Sequence, residues 1–114
     1  MAKDKCCIAP ADLRVIYFEA TNTPVRQVVY TVPAGKVFVV NMWSIGPFGD
    51  QVFGVIGRLW RNNALVARNR NGGSHPHNEI AFPTGIGFAA GDTLELETTF
   101  NAGVHFFYGY EVDD

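Results

Sequence analysis

The run Gly87-Phe88-Ala89-Ala90-Gly91-Asp92-Thr93-Leu94-Glu95-Leu96-Glu97-Thr98-Thr99-Phe100 continues through Asn101-Ala102-Gly103 into Val104-His105-Phe106-Phe107-Tyr108-Gly109-Tyr110-Glu111-Val112. It alternates with a period of two. Leu94, Leu96, Thr98 and Phe100 stand on one parity against Glu95, Glu97 and Thr99, and after the break Val104, Phe106, Tyr108, Tyr110 and Val112 stand against His105, Phe107, Gly109 and Glu111. Such alternation marks strands with one face on a core and one face outward. The Asn-Ala-Gly break between the two runs predicts a β-hairpin. On this reading Val104, Phe106, Tyr108 and Tyr110 form its core side, and Glu95, Glu97 and Glu111 its acidic outer face.

Working back from this stretch, every other segment reads as strand or turn. Leu13 to Glu19 and Val25 to Val32 are β-branched and aromatic, with the turn residues Thr21-Asn22-Thr23-Pro24 between them. After a tight turn at Pro33-Ala34-Gly35-Lys36, the run Val37 to Ile45 is apolar on both parities: Val37, Val39, Trp43 and Ile45 on one, Phe38, Val40 and Met42 on the other. A strand of that kind needs cover on both sides. Gln51 to Trp60 follows a Gly-Pro break, and Arg61-Asn62-Asn63-Ala64 has the residues of a two-residue hairpin turn, because asparagine tolerates positive φ. Leu65 to Arg68 is a returning strand, residues 69–77 a polar loop, Glu79 to Phe82 a short strand and Pro83-Thr84-Gly85 a turn. The segments Val32 to Val39 and Phe88 to Glu95 echo one another, each placing Ala-Gly and a charge just ahead of a strand.

No apolar period of 3.6 residues persists long enough for a helix. The chain is therefore expected to be all-β: a single-domain antiparallel β-sandwich or jelly roll of about eight strands. Residues 1–12 are expected to be an N-terminal arm and residues 13–114 the sandwich domain. At 114 residues and 47% hydrophobic content there is material for one core. Strands apolar on both faces leave an excess that is expected to meet another chain.

The formal net charge is only -2, which gives no general argument for nucleic acid or membrane. Its distribution is uneven. Residues 51–70 carry Arg58, Arg61, Arg68 and Arg70 and no acid, whereas residues 71–114 carry seven acids and no lysine or arginine. The two regions are expected to attract one another, within a subunit or between subunits. Cys6 and Cys7 are adjacent, so they staple no distant segments and fit reduced thiols in a cytosolically made protein. No signal-peptide-like or membrane-spanning apolar run is present, so neither secretion by that route nor a membrane partner is expected.

Few residues suggest chemistry. In His75-Pro76-His77-Asn78-Glu79 an extended backbone would put His75, His77 and Glu79 on one side at about 6.6 Å intervals, a spacing that can share a metal. With His105 more distant, a His-x-His pair followed by Glu in a jelly roll resembles the cupins, which often hold a divalent metal through such a set. Cupins place the glutamate several residues beyond the second histidine and a Pro-x-Gly turn before the last one. Here one residue intervenes and Asn101-Ala102-Gly103-Val104 precedes His105, so a solvated polar loop is the favoured reading and no metal is favoured. Ser44 and Ser74 have no evident orienting acid, and no glycine-rich phosphate loop opens a helix. The arginines at 58–70 could meet phosphate, a carboxylate-rich surface or sugar. The lack of an interleaved aromatic platform argues against nucleic acid.

Val32-Pro33-Ala34-Gly35-Lys36-Val37-Phe38-Val39-Val40, the hairpin Leu59-Trp60-Arg61-Asn62-Asn63-Ala64-Leu65-Val66, and Ala90-Gly91-Asp92-Thr93-Leu94 ending in Tyr108-Gly109-Tyr110-Glu111-Val112 together resemble the small β-sandwich accessory proteins of bacteriophage particles, the capsid decoration and tail accessory types. The resemblance implies a non-enzymatic assembly role in a virion, with the protein made in the host cytoplasm. It implies a homo-oligomer, with a trimer as the candidate symmetry, contacts to other structural proteins of the particle, and no cofactor. The interface residues expected from the sequence are Cys6, Cys7, Phe38, Val40, Met42, Arg58, Arg61, Arg68 and Arg70. The alternatives are a cupin-like metal protein or enzyme using His75, His77 and Glu79, and a carbohydrate-binding module.

Overall fold

The computed structural model describes residues 9–20, 26–47, 54–72, 77–100 and 103–114. After a 3-10 turn at Pro10–Asp12 come eight strands: β1 (Leu13–Ala20), β2 (Gln27–Thr31), β3 (Lys36–Pro47), β4 (Val55–Arg61), β5 (Ala64–Arg70), β6 (Asn78–Phe88), β7 (Thr93–Phe100) and β8 (Gly103–Asp113). They form two four-stranded antiparallel sheets, ordered β1-β8-β3-β6 and β2-β7-β4-β5. The protein is an all-β sandwich, and this strand order is that of a jelly roll. Cys6, Cys7 and His75 lie outside the described residues.

Among the described residues, consecutive strands pair with each other only at β4–β5, across the turn where Asn62 holds φ 56° as its sequence predicts. The expected closing hairpin is corrected. β7 pairs with β2 and β4 in one sheet and β8 with β1 and β3 in the other, so the chain crosses the sandwich between them. The alternation described two half-buried strands correctly, but it carries no information on which strand is the partner.

The two echoing segments acquire a physical meaning. Each supplies a turn that carries the chain from one sheet to the other, with Gly35 at φ 78° and Gly91 at φ 85°. The turns are joined by Val32 N–H to Asp92 O at 3.0 Å and Gly91 N–H to Val32 O at 2.9 Å.

The core is built on Phe38, Val40, Trp43 and Ile45 of β3, closed by Phe88, Phe107, Leu59, Leu94 and Leu96. Phe38 and Val40 change parity with Trp43 and Ile45 because β3 bulges at Asn41: Val40 pairs with Gly109 and Met42 with Tyr108, leaving Asn41 as the extra residue. This corrects the assignment of Phe38 and Val40 to an interface. Both are fully buried inside the sandwich, while Val37, Val39 and Met42 turn to the other face. On β6, Pro83-Thr84-Gly85 is not a chain reversal. β6 stays paired to β3 on both sides of it, with Ala81 opposite Met42 and Ile86 opposite Val40. The extra residues bulge from an edge strand, where a proline costs no ladder hydrogen bond.

Candidate functional site

The burial of β8 decides which surface the protein offers. His105, Phe107, Gly109 and Glu111 face inward, so Val104, Phe106, Tyr108 and Tyr110 are not the core side; they lie outward. Glu111 likewise leaves the predicted acidic face. The inward parity contains two titratable groups, and burial of such groups is tolerable only when their polar atoms are satisfied. Both are. Trp43 Nε1 donates to His105 Nδ1 at 3.1 Å, which makes Nδ1 an acceptor and leaves Nε2 as the donor to Thr98 Oγ1 at 3.2 Å. Burial pushes the His105 pKa down to about 3, so this ring is neutral at pH 7. Glu111 accepts from the Tyr30 hydroxyl and pairs with Arg14 Nε at 3.2 Å. Burial, then Glu111, pushes Tyr30 up to about 12.

With that parity inward, the outer face of the β1-β8-β3-β6 sheet becomes a continuous apolar and aromatic surface. Leu13 pairs with Tyr110, Val15 with Tyr108 and Tyr17 with Phe106, while Val39, Met42 and Val37 flank β8 on the other side. Leu13, Val15 and Tyr17 are 50%, 56% and 50% exposed and Tyr108 37%. Tyr17 and Phe106 rings sit 4.8 Å apart, and Phe106 and Tyr108 stack at 6.1 Å. Three strands spaced about 4.8 Å apart and eight residues long at about 3.3 Å rise give a footprint of roughly 400 Å² in projection. A patch of that size on a folded domain commonly marks an interaction site.

The opposite outer face is charged. Arg26 pairs with Glu95 at 3.0 Å and lies 4.5 Å above the Trp60 ring, and Arg58 pairs with Glu97 at 3.9 Å. The expected attraction between the acidic strand and the arginine hairpin is thus met inside the subunit, by one cross-strand pair. Arg61 donates to Gly87 O at 2.8 Å and ties the hairpin to β6. Arg68 and Arg70 make no side-chain ion pair among the described residues. They open onto a groove of about 370 Å³ lined by Ile56, Arg58, Arg68, Asn69, Arg70, Asn78 and Ile80.

His77 is exposed and its ring lies against Gly46, while Glu79 is exposed on β6. Among the described residues no three His, Cys, Asp or Glu side chains converge as a metal set. Both ring nitrogens of His105 are engaged inside the sandwich, so it is not brought to the 77–79 segment as a further ligand. Among the described residues no helix is long and apolar enough to cross a membrane.

No protein-family model, curated protein or solved structure matches the chain.

Of the apolar face, the sequence points to Met42 alone as an interface residue, and its alternation points to Val104, Phe106, Tyr108 and Tyr110 as core. The signal that could have reversed the parity of β8 is its neighbour: Trp43 is a bulky core residue whose ring N–H requires a buried acceptor, and His105 is suited to supply one.

Proposed function

We propose that this protein is a non-enzymatic structural or attachment subunit of a symmetric assembly, of the capsid-decoration or virion-accessory kind. The observation that carries this reading is the outer face of the β1-β8-β3-β6 sheet. It joins exposed Leu13, Val15, Tyr17 and Tyr108 to half-buried Phe106 and Tyr110, with the polar groups of β8 drawn to the inside. Aromatic and aliphatic residues of this kind form the buried centres of protein interfaces. β1 is also an edge strand among the described residues, so its apolar side chains border a row of backbone donors and acceptors that no other described strand pairs. The charged outer face of the second sheet, with its internal ion pairs, suits exposure to solvent. The place of action in this reading is the virion, after synthesis in the host cytoplasm.

The test is the mass in solution by light scattering at micromolar concentration. The wild-type chain is expected to self-associate or to bind a particle, and the double substitution Val15→Glu, Tyr108→Glu is expected to give a folded monomer. A monomeric wild type that binds no particle would overturn the proposal.

A further inference from the structure

We propose that the arginine groove between β4, β5 and β6 is a binding site for a small ligand carrying a carboxylate, sulfate or phosphate group. Three observations converge on it. Arg58 and Arg68 stand directly opposite one another across the β4–β5 ladder, and Arg70 follows two residues later on the same face. Like charges placed opposite each other destabilise a sheet. Glu97 offsets Arg58 from 3.9 Å, and among the described residues no carboxylate meets Arg68 or Arg70. The groove therefore concentrates positive charge, with Arg68 and Arg70 meeting no carboxylate among the described residues, and none of its lining residues is acidic. A guanidinium offers a planar fork of donors that matches an oxyanion.

The groove is also held in shape. Asn69, only 4% exposed, donates from Nδ2 to Trp43 O at 3.2 Å and Asn78 O at 3.4 Å. Its Oδ1 accepts from Asn78 Nδ2 at 2.7 Å and from the Arg70 backbone N–H at 2.8 Å. These bonds join β5 of one sheet to β3 and β6 of the other, so the wall that presents Arg68 and Arg70 is fixed before any ligand arrives. Such preorganisation lowers the ordering cost of binding. Ile56 and Ile80 add an apolar lining against which the non-polar side of a ligand can rest. A volume of about 370 Å³ is enough for one small molecule of monosaccharide size. This site shares no residue with the apolar face, so its failure would leave the assembly reading intact.

The experiment titrates the full chain with sulfate, phosphate, glucuronate and neutral glucose at constant ionic strength, following backbone amide shifts by NMR. Saturable shifts at residues 56–58, 68–70 and 78–80 are expected with the oxyanions and not with glucose. The substitutions Arg68→Gln and Arg70→Gln are each expected to weaken binding by on the order of tenfold, the loss of a charge-assisted contact. Glucuronate saturating at lower concentration than sulfate would assign the site to an acidic sugar; equal or tighter sulfate or phosphate would assign it to a free inorganic oxyanion. A readout separate from binding is the unliganded stability, which Arg68→Gln is expected to raise by relieving its repulsion with Arg58. Shifts that do not saturate with any of the oxyanions, or affinities unchanged in both variants, would overturn the proposal.

Discussion

Acidification should destabilise this protein through His105. The ring is buried between the sheets, accepts from Trp43 Nε1 and donates to Thr98, and its pKa is pushed from 6.5 down to about 3 by burial. In the unfolded chain the same imidazole takes up a proton once the pH falls below 6.5, whereas the folded protein refuses it until about pH 3. Between those values protons bind preferentially to the unfolded state, so the stability present above pH 6.5 is lost as the pH falls. Each pH unit inside the window is worth about 1.4 kcal/mol, so going from pH 7 to pH 4.5 removes about 2.5 kcal/mol. With a urea slope on the order of 1–2 kcal/mol/M, the midpoint drops by roughly 1.2–2.5 M. Other groups titrate over the same range, so the measurement is the difference between wild type and His105→Gln in urea unfolding at pH 7, 5.5 and 4.5. The variant starts lower, because Trp43 and Thr98 lose their fitted partner, and it should lack the histidine contribution to the slope. Parallel decline of the two midpoints would refute the argument that this ring is neutral and sealed in the fold.

Two further substitutions test the packing. Gly57 faces Trp43 and His105 across the sandwich, and a Cβ there would lie 2.8 Å from the Trp43 ring and 3.0 Å from the His105 ring. Gly57→Ala is therefore expected to cost about 1–3 kcal/mol by overpacking, read as a lowered thermal midpoint, and an unchanged midpoint would show that the indole can give way. Tyr30→Phe removes a donor to buried Glu111 while Arg14 remains, with an expected loss of about 1–3 kcal/mol in chemical unfolding at pH 7. In the wild type, spectrophotometric titration should find one tyrosine that resists ionisation to about pH 12, and its absence in the variant would assign it to Tyr30.

The candidate surfaces were legible in the sequence to different degrees. Arg68-Asn69-Arg70 places both arginines on one side of a strand by its period of two, which is a local rule. The two-residue turn at Asn62-Asn63 alone would set Arg58 opposite Ala67; a bulge at Val66, between the pairs Trp60–Leu65 and Leu59–Ala67, brings Arg68 opposite Arg58 instead. The groove is not local either, because Asn78 and Ile80 come from β6, which reaches the site only through the tertiary fold. The apolar face was harder still. β8 carries Val104, Phe106, Tyr108, Tyr110 and Val112 on one parity and His105, Phe107, Gly109 and Glu111 on the other, so its pattern favours burial of the first set, yet that set lies outside.

What the sequence determined by itself is local in origin. Turn residues at Pro33-Ala34-Gly35, Asn62-Asn63 and Ala90-Gly91-Asp92, with β-branched and aromatic runs between them, are enough for an all-β chain of eight strands. The parity of β7 is local too, since Leu94 and Leu96 alternate with glutamates that cannot be buried unpaired. Only the tertiary structure decided that β7 and β8 part into different sheets and that Asn41 shifts the register of β3. It also decided that His105 and Glu111 belong inside. The reason is that strand pairing and the burial of a polar group depend on partners distant in the chain: Trp43 for His105, Tyr30 and Arg14 for Glu111. Once those partners are in place, the aromatic parity of β8 is turned outward.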